Sequence, residues 1–438
     1  MDDTPRVLSI PPGVPFLPKL AEAFLDGRIA PGFRFDGDPL SLADATIYVP
    51  TRRAARELRS VFVDRMGGRS AILPVIRPLG EFDEDAASFV EEGAATLDLA
   101  PPIAALDRVL LLAPLVRAWK SRIPTHVAAR YEEGVVVPAS AGDAIWMARD
   151  LAALMDEIET EEADWRRLES LVPADLAGWW QVTLDFLRIV TSQWPEVLAE
   201  LGRSNPAAHR NALISAEAEH LGRNPPQGPV IAAGSTGTNP ATARLLAAIA
   251  RLPKGAVVLP GLDLLLDERS WDAIDGARSP SAFGHPQFGM KKLLSVIGIA
   301  RADVEEIVLP QGPLQARRAM VCEALRPAET TDAWAETAAV DGRALAGVSL
   351  VEAANEREEA LAIAVALRHA IRREGATAAL VTPDRDLARR VATELRRFGV
   401  VADDSGGSLL SRSSPALLLS LLLEAVFRIG DPVPIVGL

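Results

Sequence analysis

A single cysteine, Cys322, stands in 438 residues. That excludes an internal disulfide framework and any thiolate-ligated cluster held by this chain alone. No apolar run approaches the roughly 20 residues of a membrane-spanning helix. The opening MDDTPR is acidic where a secretory signal would be basic, so a reducing cytoplasm is the expected compartment, with no membrane partner. Basic charge is in deficit: 46 Lys and Arg face 59 Asp and Glu, a net charge of −13. Indiscriminate coating of nucleic acid, which depends on a basic surface that releases counterions, is disfavoured, and any DNA contact must be confined to a local track. With 49 % hydrophobic and 24 % charged residues, the composition is that of a folded chain long enough for two or three domains.

A further lack is chemical. The stretch VLSIPPGVPFLPKLAEAF, Val7 to Phe24, follows the layout of a P-loop, in which a strand leads through G-x-x-x-x-G-K-[ST] into a helix. Gly13 and Lys19 fall in register, but Pro18 replaces the second glycine and Leu20 the Ser/Thr that would ligate magnesium. Pro15 and Pro18 carry no N–H, so two donors are missing from the phosphate cradle. The expectation is a degenerate Walker A motif whose Gly13 and Lys19 are remnants of a cofactor site, with ATP binding disfavoured and no catalytic or metal-ligating residue.

Elsewhere the pattern alternates. A strand at Thr46–Val49 runs through Pro50-Thr51 into the helix RRAARELRSVFVDRM, which Thr51 can cap. Arg52, Arg56 and Arg59 share one face of it, a spacing that suits either phosphate contact at a strand's carboxyl end or a solvated amphipathic surface. From about Pro101 to Leu221 the strand signal gives way to helical periodicity, and Trp119, Trp146, Trp165, Trp179, Trp180 and Trp194 collect there. They read as core residues, with stacking on unpaired bases as the functional alternative. LAALMDEIETEE imitates a Walker B strand, yet its period is that of a helix carrying surface acids. Strands resume at Pro229–Ala233 and Ala256–Leu259, separated by GSTGTNP and a helix in which Asn239 is the cap and Pro240 the first residue. A third stretch gives strands at Val348–Glu352, Thr377–Val381 and Val400–Ala402 around helices from Glu356 and Arg385. VTPDRDLARRVATELRR there echoes VPTRRAARELRSVF.

Taken in order, the opening, IYVPTRRAARELRSVF, DEIETEEADWRRLESLVP with WWQVTLDFLRIV, VIAAGSTGTNPATARLLAAIARLPKGAVVLPGLD with HPQFGMKKLL, and LVTPDRDLARRVATELRRFGVVADDSGG resemble the amino-terminal part of the AddB family, in its alphaproteobacterial type. The similarity runs across essentially the whole chain, and GSTGTNPATARLLAAIARLP is its most specific block. It implies an α/β fold of the RecA-like, superfamily 1 helicase type: a first lobe over 1–100 and 223–326, an all-helical insertion over 101–222, a joint at 327–347, and the start of a second RecA-like lobe over 348–438. It further implies a non-catalytic, helicase-like subunit of a double-strand break repair helicase-nuclease. The partners would be the AddA motor and single-stranded DNA, which the complex screens for the recombination hotspot Chi. Thr51, Arg52 and Arg56 in the first lobe, and Thr382 and Arg385 at the matching turn of the second, are the implied DNA contacts. The family's nuclease domain and its iron–sulfur cluster are expected beyond these residues, so neither is carried over. The competing readings are an active P-loop NTPase or helicase, and a scaffold that does not touch DNA.

Overall fold

The computed structural model describes residues 4–68, 70–79, 99–120, 140–165, 167, 183–184, 186–336, 339–407 and 409–438. The chain divides into two compact units, Met1–Ala346 and Gly347–Leu438.

The first unit is built on six parallel strands: β1 (Val7–Ile10), β2 (Thr46–Val49), β3 (Val75–Pro78), β4 (Val230–Ala233), β5 (Gly255–Pro260) and β6 (Glu305–Glu306). Their order across the sheet is β3-β2-β4-β5-β1-β6, every pair parallel. This all-parallel α/β sheet is compatible with a RecA-like fold. Strand residues alternate between two cores because successive side chains leave opposite faces. Leu8, Ile10, Ile47, Val49, Ile231, Ala233, Ala256 and Val258 pack under helices α1 (Phe16–Leu25) and α2 (Arg52–Met66), through Leu20, Phe24, Leu58 and Phe62. Val7, Tyr48, Val230, Ala232, Val257 and Leu259 face the other layer. Burial on both faces is what a parallel sheet requires, and each large apolar side chain so buried stabilises by about 1.5–3 kcal/mol.

Between β3 and β4 the described residues form helices α3 (Ala105–Lys120), α4 (Ala141–Thr160), α5 (Trp194–Leu201) and α6 (Pro206–Arg223). A capping box between Ser140 and Asp143 starts α4, and a π-helical turn at Ile189–Gln193 leads into α5. α3, α4 and α5 close a separate core around Leu112, Val116, Trp119, Leu151, Met155 and Trp194. α6 returns to the sheet through Leu213, Ile214 and Leu221. There it lies beside α7 (Pro240–Ala250), while α8 (Glu268–Ala273), α9 (Phe288–Ile297) and α10 (Pro313–Ala324) complete the unit. Asn239 does precede α7 and Pro240 opens it, but the Asn239 side chain makes no capping bond. Residues 328–335 and 342–345 are short 3-10 turns fastened to this unit. Thr330 receives a hydrogen bond from buried Ser270, and Arg317 donates to the carbonyls of Ala344 and Ala346.

The second unit consists of α11 (Glu356–Ala370), α12 (Arg385–Arg397), α13 (Ser414–Phe427) and α14 (Pro432–Gly437). The strands expected at 348–352, 377–381 and 400–402 are not formed. Leu380 and Val400 pack on the small core that Ala360, Ala364, Val391 and Leu395 make between α11 and α12. Val381 and Val401, next to them in the chain, are 93 % and 86 % exposed, and Leu350 is 88 % exposed. A parallel ladder persists where both faces are covered, and here only Leu380 and Val400 have found cover while 348–352 is exposed throughout.

Candidate functional site at the carboxyl edge of the sheet

In an open α/β sheet ligands sit at the carboxyl ends of the strands, so the turns leaving β1, β2, β4 and β5 frame the site. After β1, Gly13 takes a left-handed φ of 84°, a conformation glycine adopts without steric cost. Helix α1 begins at Phe16, which puts Lys19 at its fourth position, with the backbone N–H already donated to the Pro15 carbonyl at 3.2 Å. The Lys19 ammonium turns along the helix to Glu22, at 3.2 and 3.1 Å from the two carboxylate oxygens. Arg65 donates to the same carboxylate at 2.9 Å. The hydrogen bond from Lys19, then that from Arg65, holds the Glu22 carboxyl below its usual range against the opposing effect of burial.

Apolar groups close the turns on one another. The Leu314 side chain of α10 comes within 3.5 Å of where a Cβ on Gly13 would stand. Pro12 lies against Gly261 after β5, and Phe16 with Pro50 against Gly234 after β4. Pro15 and Pro18 contribute no donors, so the space that a phosphate cradle would need is lined by proline, leucine and phenylalanine. Buried Arg318 fixes α10 in this position through a two-point ion pair with Glu306 of β6, at 3.0 and 2.6 Å. No periodic or motif signal in the sequence marks Leu314, Glu306 or Arg318. The nearest cue is Gly312-Pro313, where Gly312 has φ 60° and the helix begins.

Beside this turn, α2 starts as expected. The Thr51 hydroxyl accepts from the Ala54 amide at 3.1 Å, which caps the helix. Arg52 is half-buried and Arg56 exposed. Arg59, the third arginine of the stripe, donates to the Ile76 carbonyl of β3 at 3.0 Å, so it serves the sheet edge. Thr51, Arg52 and Arg56 therefore stand together at the carboxyl end of β2. The next turn, GSTGTN, is packed from above: a Cβ on Gly237 would meet Leu293 at 2.8 Å, and one on Gly289 would meet Thr238 at 2.8 Å. Close helix packing accounts for those glycines.

In the second unit, the Thr382 hydroxyl accepts from the Asp384 amide at 3.1 Å, and Asp384 in turn caps α12. Arg385 makes a two-point pair with Asp404 at 3.0 and 3.1 Å and donates to the Gly407 carbonyl at 2.6 Å. Along the rest of α12, Arg389 pairs with Asp386, Arg390 with Glu356 and Arg397 with Glu394. This arginine-rich helix is thus largely neutralised by its own neighbours.

The Walker B imitation forms the last turns of helix α4 and its end, and its Asp156 pairs with buried Arg108 at 2.7 Å. Among the described residues no cluster of His, Cys, Asp or Glu could hold a metal. Trp119 and Trp194 are core residues and Trp165 packs against that core, whereas Trp146 is 64 % exposed. Trp179 and Trp180 lie outside the described residues. His285 bridges backbone groups at Leu325 and Gln287. Buried Cys322 has its thiol pushed far up by burial, and it does not ionise near neutral pH. No protein-family model matches the chain, and no curated protein matches it in sequence. No described helix is long and apolar enough to cross a membrane.

Proposed function

We propose that this chain is a non-catalytic, helicase-like module of an AddB-type double-strand break repair complex, a degenerate P-loop lobe of superfamily 1 descent. It works in the cytoplasm with an AddA motor subunit, binds single-stranded DNA, and contributes to recognition of Chi. The observation that carries the reading is the turn after β1. It keeps the strand–turn–helix layout of a nucleotide site, but Leu314 covers Gly13 and the Lys19 ammonium is spent on Glu22. An active NTPase would need that ammonium over the turn and a hydroxyl in place of Leu20. The resemblance to AddB supplies the biological setting, and the parallel sheet is the scaffold on which such a lobe is built.

DNA contact is assigned to Thr51, Arg52 and Arg56, which form a local basic end in an acidic chain. Thr382 and Arg385 are the weaker half of the assignment, because Arg385 would first have to leave Asp404. The test is binding of a single-stranded oligonucleotide to the whole chain across a range of salt. Replacement of Arg52 and Arg56 together by Ala should weaken binding equally for all sequences. It should also flatten the dependence of log K on log salt by about 0.7 for each phosphate that is no longer neutralised. An unchanged salt slope would return α2 to a solvated face and the chain to a DNA-free scaffold.

A further inference from the structure

We propose that Trp146 and Arg149, on the outer face of α4, form a base-stacking station for single-stranded nucleic acid; this rests on the DNA-binding reading above and extends it to the helical region. Three observations carry it. First, Trp146 is 64 % exposed while Trp119 and Trp194 on the same set of helices are 8 % and 1 % exposed. The core is thus complete without it, built from Ala144, Ala148, Leu151, Ala152 and Met155 of α4. Second, the Arg149 guanidinium lies 5.1 Å from the centre of the Trp146 ring. One turn of helix separates the two, so the cation braces an indole that is largely exposed. Third, the buried Trp194 donates its indole N–H to Asn205 at 2.8 Å, whereas Trp146 has no hydrogen-bond partner among the described residues. An exposed indole beside a cation suits a nucleobase with its adjoining phosphate.

Charge decides which part of the ligand leads. Asp143 and Asp150 stand three residues before and four after Trp146, on the same side of α4. The Asp143 carboxylate accepts the Ser140 amide at 2.9 Å in the capping box, but both acids repel a phosphate chain. The station therefore recognises bases by stacking, with Arg149 supplying at most one phosphate contact. That distinguishes it from the end of α2, where arginines lead.

The experiment compares the whole wild-type chain with Trp146→Ala, Trp146→Phe and Arg149→Ala. The probes are an oligo-dT strand and an abasic deoxyribose-phosphate strand of equal length. Wild type should prefer oligo-dT. Trp146→Ala should bind it between about five- and 150-fold more weakly, the range of one base–aromatic stack, and bind the abasic strand as before. Trp146→Phe should recover most of that affinity, and Arg149→Ala should lower the salt slope by about 0.7 at most. Equal melting temperatures would show that the exposed positions are not needed for folding. Wild-type affinity for oligo-dT in Trp146→Ala overturns the station alone. So does a loss confined to association with a partner protein. Failure of the wild-type chain to bind either strand overturns the DNA-binding reading and this inference together.

Discussion

Removing Arg318 is the sharpest test of how α10 is held over the first turn. Its guanidinium makes two hydrogen bonds to Glu306, at 3.0 and 2.6 Å, and the two side chains are only 8 % and 10 % exposed. Taking one member from a buried pair leaves the other charge uncompensated, at a cost of about 3–5 kcal/mol. By contrast, the exposed pair Arg223–Glu219, with side chains 65 % and 64 % exposed, should contribute about 0.3–0.5 kcal/mol. Arg318→Ala is therefore expected to destabilise the first unit roughly ten times more than Arg223→Ala. For a unit with a urea slope of about 3 kcal/mol/M, its midpoint should fall by about 1–1.7 M. The double replacement Arg318→Met with Glu306→Leu removes both charges and should recover most of the stability. The assay is urea denaturation followed by circular dichroism, with the slope checked for constancy. If Arg318→Ala cost no more than Arg223→Ala, the pair would not be holding α10, and the account of how Leu314 is kept on Gly13 would fail.

Two further outcomes follow from the same unit. Titration calorimetry with Mg-ATP should show no specific binding, unchanged in Lys19→Ala; micromolar affinity abolished by that substitution would restore the nucleotide site. Asp267 caps α8, and its carboxyl is lowered to about 2, first by the Ser270 amide and then by Arg326 and the Ser270 hydroxyl, against burial. A folded value below the unfolded one, about 3.9, means that its stabilising contribution is complete above that unfolded value and fades as pH falls toward about 2. The melting difference between wild type and Asp267→Ala should thus be full at about pH 6 and shrink between about pH 4 and the folded value; a difference that grows on acidification contradicts the assignment.

Strands β1, β2, β4 and β5 of the first unit are legible because their burial is written locally, whereas β3 and β6 carry no such signal. Val7–Ile10, Thr46–Val49 and Gly255–Pro260 are short β-rich runs followed by turn residues, and each is a strand buried on both faces. α2 is readable from its cap at Thr51 to its Gly67 end because both signals are local backbone chemistry. The second unit misleads for the converse reason. Val348–Glu352, Thr377–Val381 and Val400–Ala402 have strand composition, but a ladder is a property of neighbours, and local sequence does not report whether the second face is covered.

The candidate site shows the same division between local and non-local information. That Pro15, Pro18 and Leu20 spoil a phosphate cradle follows from what those residues lack, so the sequence suffices. What occupies the space instead does not, because Leu314 is about three hundred residues from Gly13 along the chain, and the Glu306–Arg318 pair that sets it joins a two-residue edge strand to a helix. The arginines are an intermediate case. An i, i+4, i+7 spacing predicts a shared face but not what each side chain will meet, and Arg59 is drawn off to the Ile76 carbonyl because β3 runs beside it. The echo between α2 and α12 does not extend to the charges around them, for this reason too. Both helices repeat a similar arginine pattern, yet α12 carries or faces Asp386, Glu394, Glu356 and Asp404 within ion-pair reach of its arginines. A phosphate chain arriving at α12 would have to displace those carboxylates one by one, whereas Arg56 of α2 stands exposed at the carboxyl edge of the parallel sheet. The electrostatic role of such a stripe is therefore decided by the acids that the fold brings to it, and the spacing of the arginines sets only which face they share.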